Sequence, residues 1–236
     1  MRFSNRDNFI ISAPGAMDTE PSSLESIMAG NAAGARGCLL PVDSTSDGIT
    51  LVCDEGFYPS RDGEQLKTCE HDYMTLRAAF PRIVSFGQAL ELAKSCAAKV
   101  GVELRHPAAA AQARVSLKYS EYIEKAYFCG LGLNDSMELA ARYPDLQVLA
   151  GLDKAPDDPV VLVRQCQEAG LFGLRAAPAL LSPELCEEAL RCGLFLASTA
   201  TQDTDTLSDL LARGVNFIET LRPDLAYALL PQPTFE

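Results

Sequence analysis

Short apolar runs alternate with longer stretches of helical periodicity along most of the chain. The runs are five or six residues long and nearly continuous in apolar side chains, which is typical of strands buried on both faces of a parallel sheet. We predict eight strands, at residues 8–12, 37–42, 100–105, 126–130, 147–152, 171–176, 194–199 and 216–220.

The stretches between these runs carry apolar side chains at helical spacing and have helix-capping residues at their ends. Ser182 followed by Pro183 is a typical helix start, because serine caps the first turn and proline fits the first helical position. Gly170 is a typical helix end before the next strand. We predict helices at residues 22–33, 85–99, 119–125, 136–143, 158–169, 182–191 and 203–213.

Strands that alternate with helices predict βαβ units, and eight such repeats predict closure into an α/β barrel. The chain has 236 residues, close to the roughly 250 that such a barrel needs, so we expect one domain over residues 1–236. A doubly wound open sheet is the alternative, but no Gly-x-Gly-x-x-Gly turn follows a strand to support dinucleotide binding. Residues 55–81 are polar and do not fit the repeat, so we predict a loop excursion after the second strand.

The composition excludes several classes of partner. The net charge is −12 and no run of lysine or arginine occurs, so nucleic acids and anionic membrane surfaces are not expected partners. No segment has the length and apolarity of a membrane span, and we expect a cytoplasmic protein. The eight cysteines contain no Cys-x-x-Cys pair, which favours reduced, buried thiols over a zinc site. The oligomeric state is not predicted.

Two stretches in the first quarter of the chain carry a family likeness. Residues 9–16, Phe-Ile-Ile-Ser-Ala-Pro-Gly-Ala, align with an opening strand that ends in His-Arg-Gly in that family. Residues 34–55, anchored by Thr45-Ser-Asp-Gly48, align with Glu-x-Asp-Val, Thr-x-Asp-Gly and a strand that ends in His-Asp. In these stretches the chain resembles the glycerophosphodiester phosphodiesterases.

The resemblance continues to the C-terminal part of the chain. Residues 100–105 are similar to the family's strand ending in Ile-Glu-x-Lys, and residues 192–201 and 214–225 are similar to its last two strands. Family members are (β/α)8 TIM barrels of the phospholipase-C-like phosphodiesterase type. The resemblance therefore implies the same fold that the strand count predicts.

The resemblance also implies a calcium or magnesium ion held by three carboxylates. Leu39 and Pro41 stand at two of those ligand positions, and Glu103 is the only retained one. Hard cations need several oxygen ligands, which one carboxylate does not supply. We therefore expect no bound metal or other cofactor.

Two histidines act as acid and base in the family. Their positions carry Ala13 and Asp54 here, with Pro14 and Glu55 as the following residues. Neither position retains an imidazole, the group that titrates near neutral pH. We therefore expect a catalytically degenerate barrel that binds a small polar or anionic ligand at its mouth.

The retained polar residues are the candidates for the binding site. Glu103 and Arg105 alternate with Val102 and Leu104, so both side chains are predicted to point into the barrel. They either form a salt bridge with each other, or Arg105 binds the anionic ligand. Thr199 offers a hydroxyl group to the same ligand.

An active hydrolase is the alternative hypothesis. A phosphoric diester hydrolase of glycerophosphodiester type, active in lipid metabolism, would need a relocated catalytic set. The candidates for that set are Glu103, Arg105, Asp54, His71 and His106, with Ca²⁺ or Mg²⁺ as cofactor. A different enzymatic activity on the same scaffold is a further possibility, because barrels support many chemistries.

Overall fold

A computed structural model describes residues 8–60 and 63–230 of the chain. Its strands occur in the barrel and in an insertion that follows the second strand. They are β1 (Phe9–Ser12), β2 (Gly37–Ser44), β3 (Thr50–Val52), β4 (Phe57–Pro59), β5 (Gln65–Lys67), β6 (Lys99–Leu104), β7 (Ala126–Cys129), β8 (Leu149–Leu152), β9 (Gly173–Ala176), β10 (Phe195–Ser198) and β11 (Phe217–Thr220).

Eight parallel strands form a nearly closed barrel, in the order β7-β6-β2-β1-β11-β10-β9-β8. The remaining gap, between β7 and β8, is bridged where Phe128 pairs with Val148. There the Phe128 N–H donates to the Gln147 carbonyl at 2.8 Å. All eight predicted strands and the predicted barrel are confirmed, with strand ends that agree within two residues.

Helices surround the barrel, and several of them begin at residues that cap the first turn. The Ser182 hydroxyl accepts a hydrogen bond from the Leu185 N–H, and Pro183 occupies the first turn. Ser85 and Gln88 form a reciprocal capping box at another helix. The helices are α1 (Leu24–Ala32), α2 (Tyr73–Ala79), α3 (Phe86–Ser95), α4 (Ala109–Tyr119), α5 (Leu133–Arg142), α6 (Pro159–Glu168), α7 (Pro183–Arg191), α8 (Thr204–Ala212) and α9 (Pro223–Ala228).

One predicted helix is misplaced along the chain. We predicted a helix at residues 119–125, but α4 ends at Tyr119 and only a short 3₁₀ turn, Ile123–Lys125, follows. The alanine-rich segment before Tyr119 has high helix propensity, and it buries Ala110 and Ala113 against the barrel. Helices α2 and α9 were not predicted.

The segment after β2 contains secondary structure of its own. Strand β3 returns antiparallel to β2, with Val42 opposite Val52, and β4 and β5 then form a two-stranded hairpin. Helix α2 follows. A small separate core lies beneath these elements and consists of Leu51, Cys53, Tyr58, Leu76 and Ile83.

Stacked aromatic side chains fill the inside of the barrel. The Phe217 ring lies 4.5 Å from the Tyr127 ring and 5.8 Å from both Phe9 and Phe195, measured between centroids. Gly101 makes room for this stack, because a Cβ atom there would lie 2.6 Å from the Tyr127 hydroxyl oxygen. The interior of the barrel is therefore packed below its mouth.

The cysteines form no disulfide bond. Five of them are buried, and burial raises the pKa of the Cys129 thiol at the end of β7 well above its ordinary value. Cys129 is therefore a protonated core residue. Among the described residues, no helix combines the length and the hydropathy that a membrane crossing requires.

Replacement of Phe217 by alanine should destabilise the barrel strongly. The ring is fully buried at the centre of the aromatic stack, so its loss leaves a cavity that neighbouring strands cannot close. We expect the free energy of unfolding to fall by about 3–5 kcal/mol in urea denaturation. Met74→Ala, at a side chain that is 70% exposed, is the control and should change it by less than about 0.5 kcal/mol. A loss below about 1 kcal/mol for Phe217→Ala would contradict this packing.

Asp145 forms a surface cluster with Arg114 and Lys118, and we expect its protonation to destabilise the protein in acid. Burial raises its pKa, but hydrogen bonds from Arg114 and Lys118 outweigh that effect and lower the pKa to about 2. The ionised carboxylate therefore stabilises the fold above its ordinary pKa of 3.8, and this contribution is lost as the pH falls towards 2.

Asp145→Asn should accordingly cost at most about 1 kcal/mol at pH 6, because the cluster is partly exposed and screened. The difference from the original protein should approach zero near pH 2. Urea titrations at both pH values measure it, with Asp153→Asn on the exposed surface as the control. Equal differences at the two pH values would contradict the prediction.

Candidate ligand site at the barrel mouth

A cavity of about 470 Å³ lies at the carboxyl ends of the barrel strands. Barrels of this type place their functional groups at that end, where the loops after the strands converge. The cavity contains charged groups of both signs. Its lining residues are Pro41, Asp54, Glu103, Leu104, Arg105, His106, Gly130 and Arg175.

Arg175 is the central charge of this region. Its Nε and Nη2 atoms donate to the two carboxylate oxygens of Glu219 at 2.8 Å each, which makes a bidentate pair. Its Nη1 atom lies 2.8 Å from Oε1 of Glu103. One guanidinium thus bridges two carboxylates, and the three groups carry a net charge of −1 when all are ionised.

Burial differs sharply across these three side chains. Glu219 is 0% exposed, Arg175 12% and Glu103 25%, so exposure increases towards the cavity. Burial raises the pKa of Glu219, and the guanidinium opposes that shift. Burial also lowers the pKa of Arg175, but Glu219 and Glu103 outweigh it and hold that pKa above its ordinary value. Arg175 is therefore a permanent positive charge inside the barrel.

Strand register explains why Arg175 fits inside a packed barrel. It lies opposite Gly151 on one neighbouring strand and Ala197 on the other, and these small residues leave room for a long side chain. We did not predict Arg175 or Glu219 as site residues. The available signal was a charged residue inside a run expected to be buried on both faces, since such a charge needs a partner.

Arg105 lies just beyond the end of β6 and is exposed at the mouth. Its aliphatic part passes over Gly56, where a Cβ atom would lie 3.3 Å from Arg105 Cδ. Gly56 also has a φ of +78°, which glycine adopts without strain. Within residues 8–60 and 63–230, Arg105 has no carboxylate at salt-bridge distance. The salt bridge between Glu103 and Arg105 that we considered is therefore wrong, because Glu103 binds Arg175.

The structure brings some of the other candidate residues to the mouth and leaves others apart. Asp54 and His106 line the cavity together with Glu103 and Arg105. His71 lies on the segment after β2, with its Nδ1 atom 3.1 Å from the Lys67 carbonyl oxygen, and does not line the cavity. Thr199 follows β10 and is likewise absent from the lining.

The residues at the mouth do not fit a divalent cation. Leu39 packs inside the barrel among apolar side chains, and Pro41 lines the cavity without an oxygen ligand in its side chain. Glu103 is engaged by Arg175. No group of three histidine, cysteine or acidic side chains lies close enough to hold a metal in the part of the chain that the structure describes.

A second cavity, of about 480 Å³, lies beside the mouth and shares Asp54 with it. It is bounded by the start of α1 and by the segment after β2, and aromatic residues such as Phe57, Tyr58 and Phe80 contribute to its walls. The mouth remains the candidate site because the ion pair between Arg175 and Glu103 and the exposed guanidinium of Arg105 border the same cavity.

Comparison with solved structures identifies the fold. A glycerophosphodiester phosphodiesterase from Parabacteroides distasonis superposes with a TM-score of 0.78 at 18% identity, over 96% of this chain and 98% of that one. The Thermotoga maritima enzyme gives a TM-score of 0.78 at 16% identity, over 94% and 98%. An Oleispira antarctica phosphodiesterase, solved with its product sn-glycerol-3-phosphate, gives 0.78 at 13% identity, over 94% and 96%.

The chain therefore has the glycerophosphodiester phosphodiesterase fold that the sequence resemblance implied. At these identities the likeness concerns the fold alone. No protein-family model and no curated protein matches the sequence.

Replacement of Arg175 by methionine should destabilise the protein because it leaves Glu219 buried without its partner. We expect a loss of about 3–5 kcal/mol in urea unfolding, and the double variant Arg175→Met/Glu219→Met should recover most of it. Arg114→Met removes a partly exposed pair with Asp145 and should cost less than about 1 kcal/mol. The central role of the buried pair would be refuted by similar losses at Arg175 and Arg114.

Proposed function

We propose that the mouth of this barrel binds a small anionic molecule of the phosphate monoester type, with Arg105 as its anchor, and that metal-dependent phosphodiester hydrolysis is lost. The observation that carries this proposal is the exposed guanidinium of Arg105, which lines a cavity and has no carboxylate partner among the described residues. A guanidinium binds phosphate oxygens through paired N–H donors, which favours anions over neutral ligands.

The size and charge of the cavity support a small ligand. A volume of about 470 Å³ lies within the range of about 300–1,000 Å³ that is typical of small-molecule sites. The carboxylates of Asp54 and Glu103 disfavour a ligand with many negative charges. A singly phosphorylated polyol is the chemical class that fits, and the similar Oleispira antarctica structure holds sn-glycerol-3-phosphate.

The residues at the catalytic positions support the loss of hydrolysis. Phosphodiester cleavage needs positive charge beside the non-bridging oxygens and a proton donor for the leaving alcohol. Leu39 and Pro41 supply no metal ligand, and Ala13 supplies no proton. General acid–base groups alone contribute on the order of 10²–10⁴-fold, so little of this reaction should remain.

Calorimetric titration with sn-glycerol-3-phosphate tests the binding proposal. The protein should bind it in the presence of a chelator, because Arg105 supplies the positive charge that a metal would otherwise provide. Arg105→Gln should weaken binding by about tenfold or more, since a charge-assisted hydrogen bond is lost. Arg164→Gln makes the same charge change on the outer helix α6 and should leave the affinity unchanged. Equal affinities of Arg105→Gln and the original protein would refute the anchor.

A chromogenic phosphodiester tests the loss of hydrolysis. With calcium, magnesium or manganese added, the protein should release no more product than a heat-inactivated sample does. Metal-dependent release that disappears in Glu103→Gln would overturn the proposal and would favour an active hydrolase that uses Glu103, Asp54 and His106.

A further inference from the structure

The three N–H groups that Arg175 offers to carboxylates have different surroundings. Nε and Nη2 are held by Glu219, which is fully buried and does not line the cavity. Nη1 is bound by Glu103, which is 25% exposed and lines the cavity. The inner contact is therefore fixed, and the outer contact borders the space in which a ligand would lie.

We propose that Arg175 is a second anion-binding residue of the mouth and that the Glu103 carboxylate occupies its outer face when no ligand is bound. A phosphate group that enters the cavity takes the place of Glu103 at Nη1. Glu103 is thus an internal competitor that weakens binding. This inference rests on the proposed function, in which the mouth binds a phosphate monoester.

The fold prepares Arg175 for this exchange. The bidentate pair with Glu219 keeps the guanidinium plane and position fixed, so little conformational entropy is lost when an anion binds. The charge of Glu219 is neutralised by Arg175 in both states, so no buried charge is left unpaired. The displaced Glu103 carboxylate remains at the edge of the cavity, where water can solvate it.

The fixed charges also limit what can bind. The Nη1 atom of Arg175 already contacts the Glu103 Oε1 atom at 2.8 Å, so a ligand oxygen of similar size can take the place of that atom. Leu104 and Pro41 also line the cavity, and their apolar side chains offer no hydrogen-bond donor. A compact oxyanion is the group that fits, which agrees with the phosphate of a monoester.

This inference gives Glu103 a role opposite to that of a metal ligand. If Glu103 held a cation for the phosphate, its neutralisation would weaken phosphate binding. If Glu103 competes for Arg175, its neutralisation strengthens binding. The sign of the change in affinity therefore separates the two roles.

Titration of the Glu103→Gln variant with sn-glycerol-3-phosphate in the presence of a chelator is the test. We expect its affinity to rise by about tenfold or more relative to the original protein, because a charge-assisted contact no longer has to be displaced. Asp54→Asn is the matched control. It removes one negative charge from the same cavity, at a residue with no ion pair to Arg175, and should raise the affinity by less than about threefold.

A second variant shows whether the gain passes through Arg175. In the background of Glu103→Gln, Arg175→Lys keeps a positive charge beside Glu219 but removes the guanidinium fork. The gain should disappear. Circular dichroism checks the fold of this double variant, and if it does not fold, the comparison of Glu103→Gln with Asp54→Asn still decides the matter.

The outcomes separate this inference from the proposed function. If Glu103→Gln binds no more tightly than Asp54→Asn, or binds more weakly than the original protein, the role of Glu103 as a competitor is refuted, while Arg105-dependent binding leaves the proposed function intact. If neither the original protein nor any variant binds the monoester, the proposed function itself fails.

Discussion

A positive charge buried inside the nearly closed barrel must be neutralised there, and this constraint organises the mouth of the protein. Arg175 extends from β9 into an interior otherwise filled by aromatic and aliphatic side chains. Glu219 on β11 is fully buried and pairs with this charge, and Glu103 on β6 forms a second ion pair with it at the edge of the cavity. The barrel thus carries a buried positive charge beside the cavity at its mouth.

The two arginines of the mouth therefore lie in different environments. Arg175 is fixed and satisfied, whereas Arg105 is exposed beyond the end of β6 and passes over the glycine turn at Gly56. In the proposed function, an anion meets the exposed Arg105 first and reaches Arg175 only at its outer face. Arginine stays protonated in proteins and does not act as a proton donor in catalysis, which supports the proposal that the mouth binds an anion without cleaving it.

The barrel and most of the mouth could be predicted from the sequence, because apolar runs and capping residues report local structure. Glu103, Arg105 and Asp54 were candidates because they stand at positions of the family pattern, and His106 because it follows Arg105 at a strand end. The structure brings these four together. The partner of Glu103 could not be predicted, because it depends on the register of strands far apart in the chain. The small neighbours that admit Arg175, Gly151 and Ala197, become meaningful only once β8 and β10 flank β9.

A crystal structure obtained with both sn-glycerol-3-phosphate and calcium tests the central claim most directly. The account predicts the phosphate group at Arg105, the Arg175 guanidinium still paired with Glu219, and no calcium ion in the mouth. A calcium ion coordinated by Glu103 and other protein oxygens, with Arg175 turned away from both carboxylates, would contradict it.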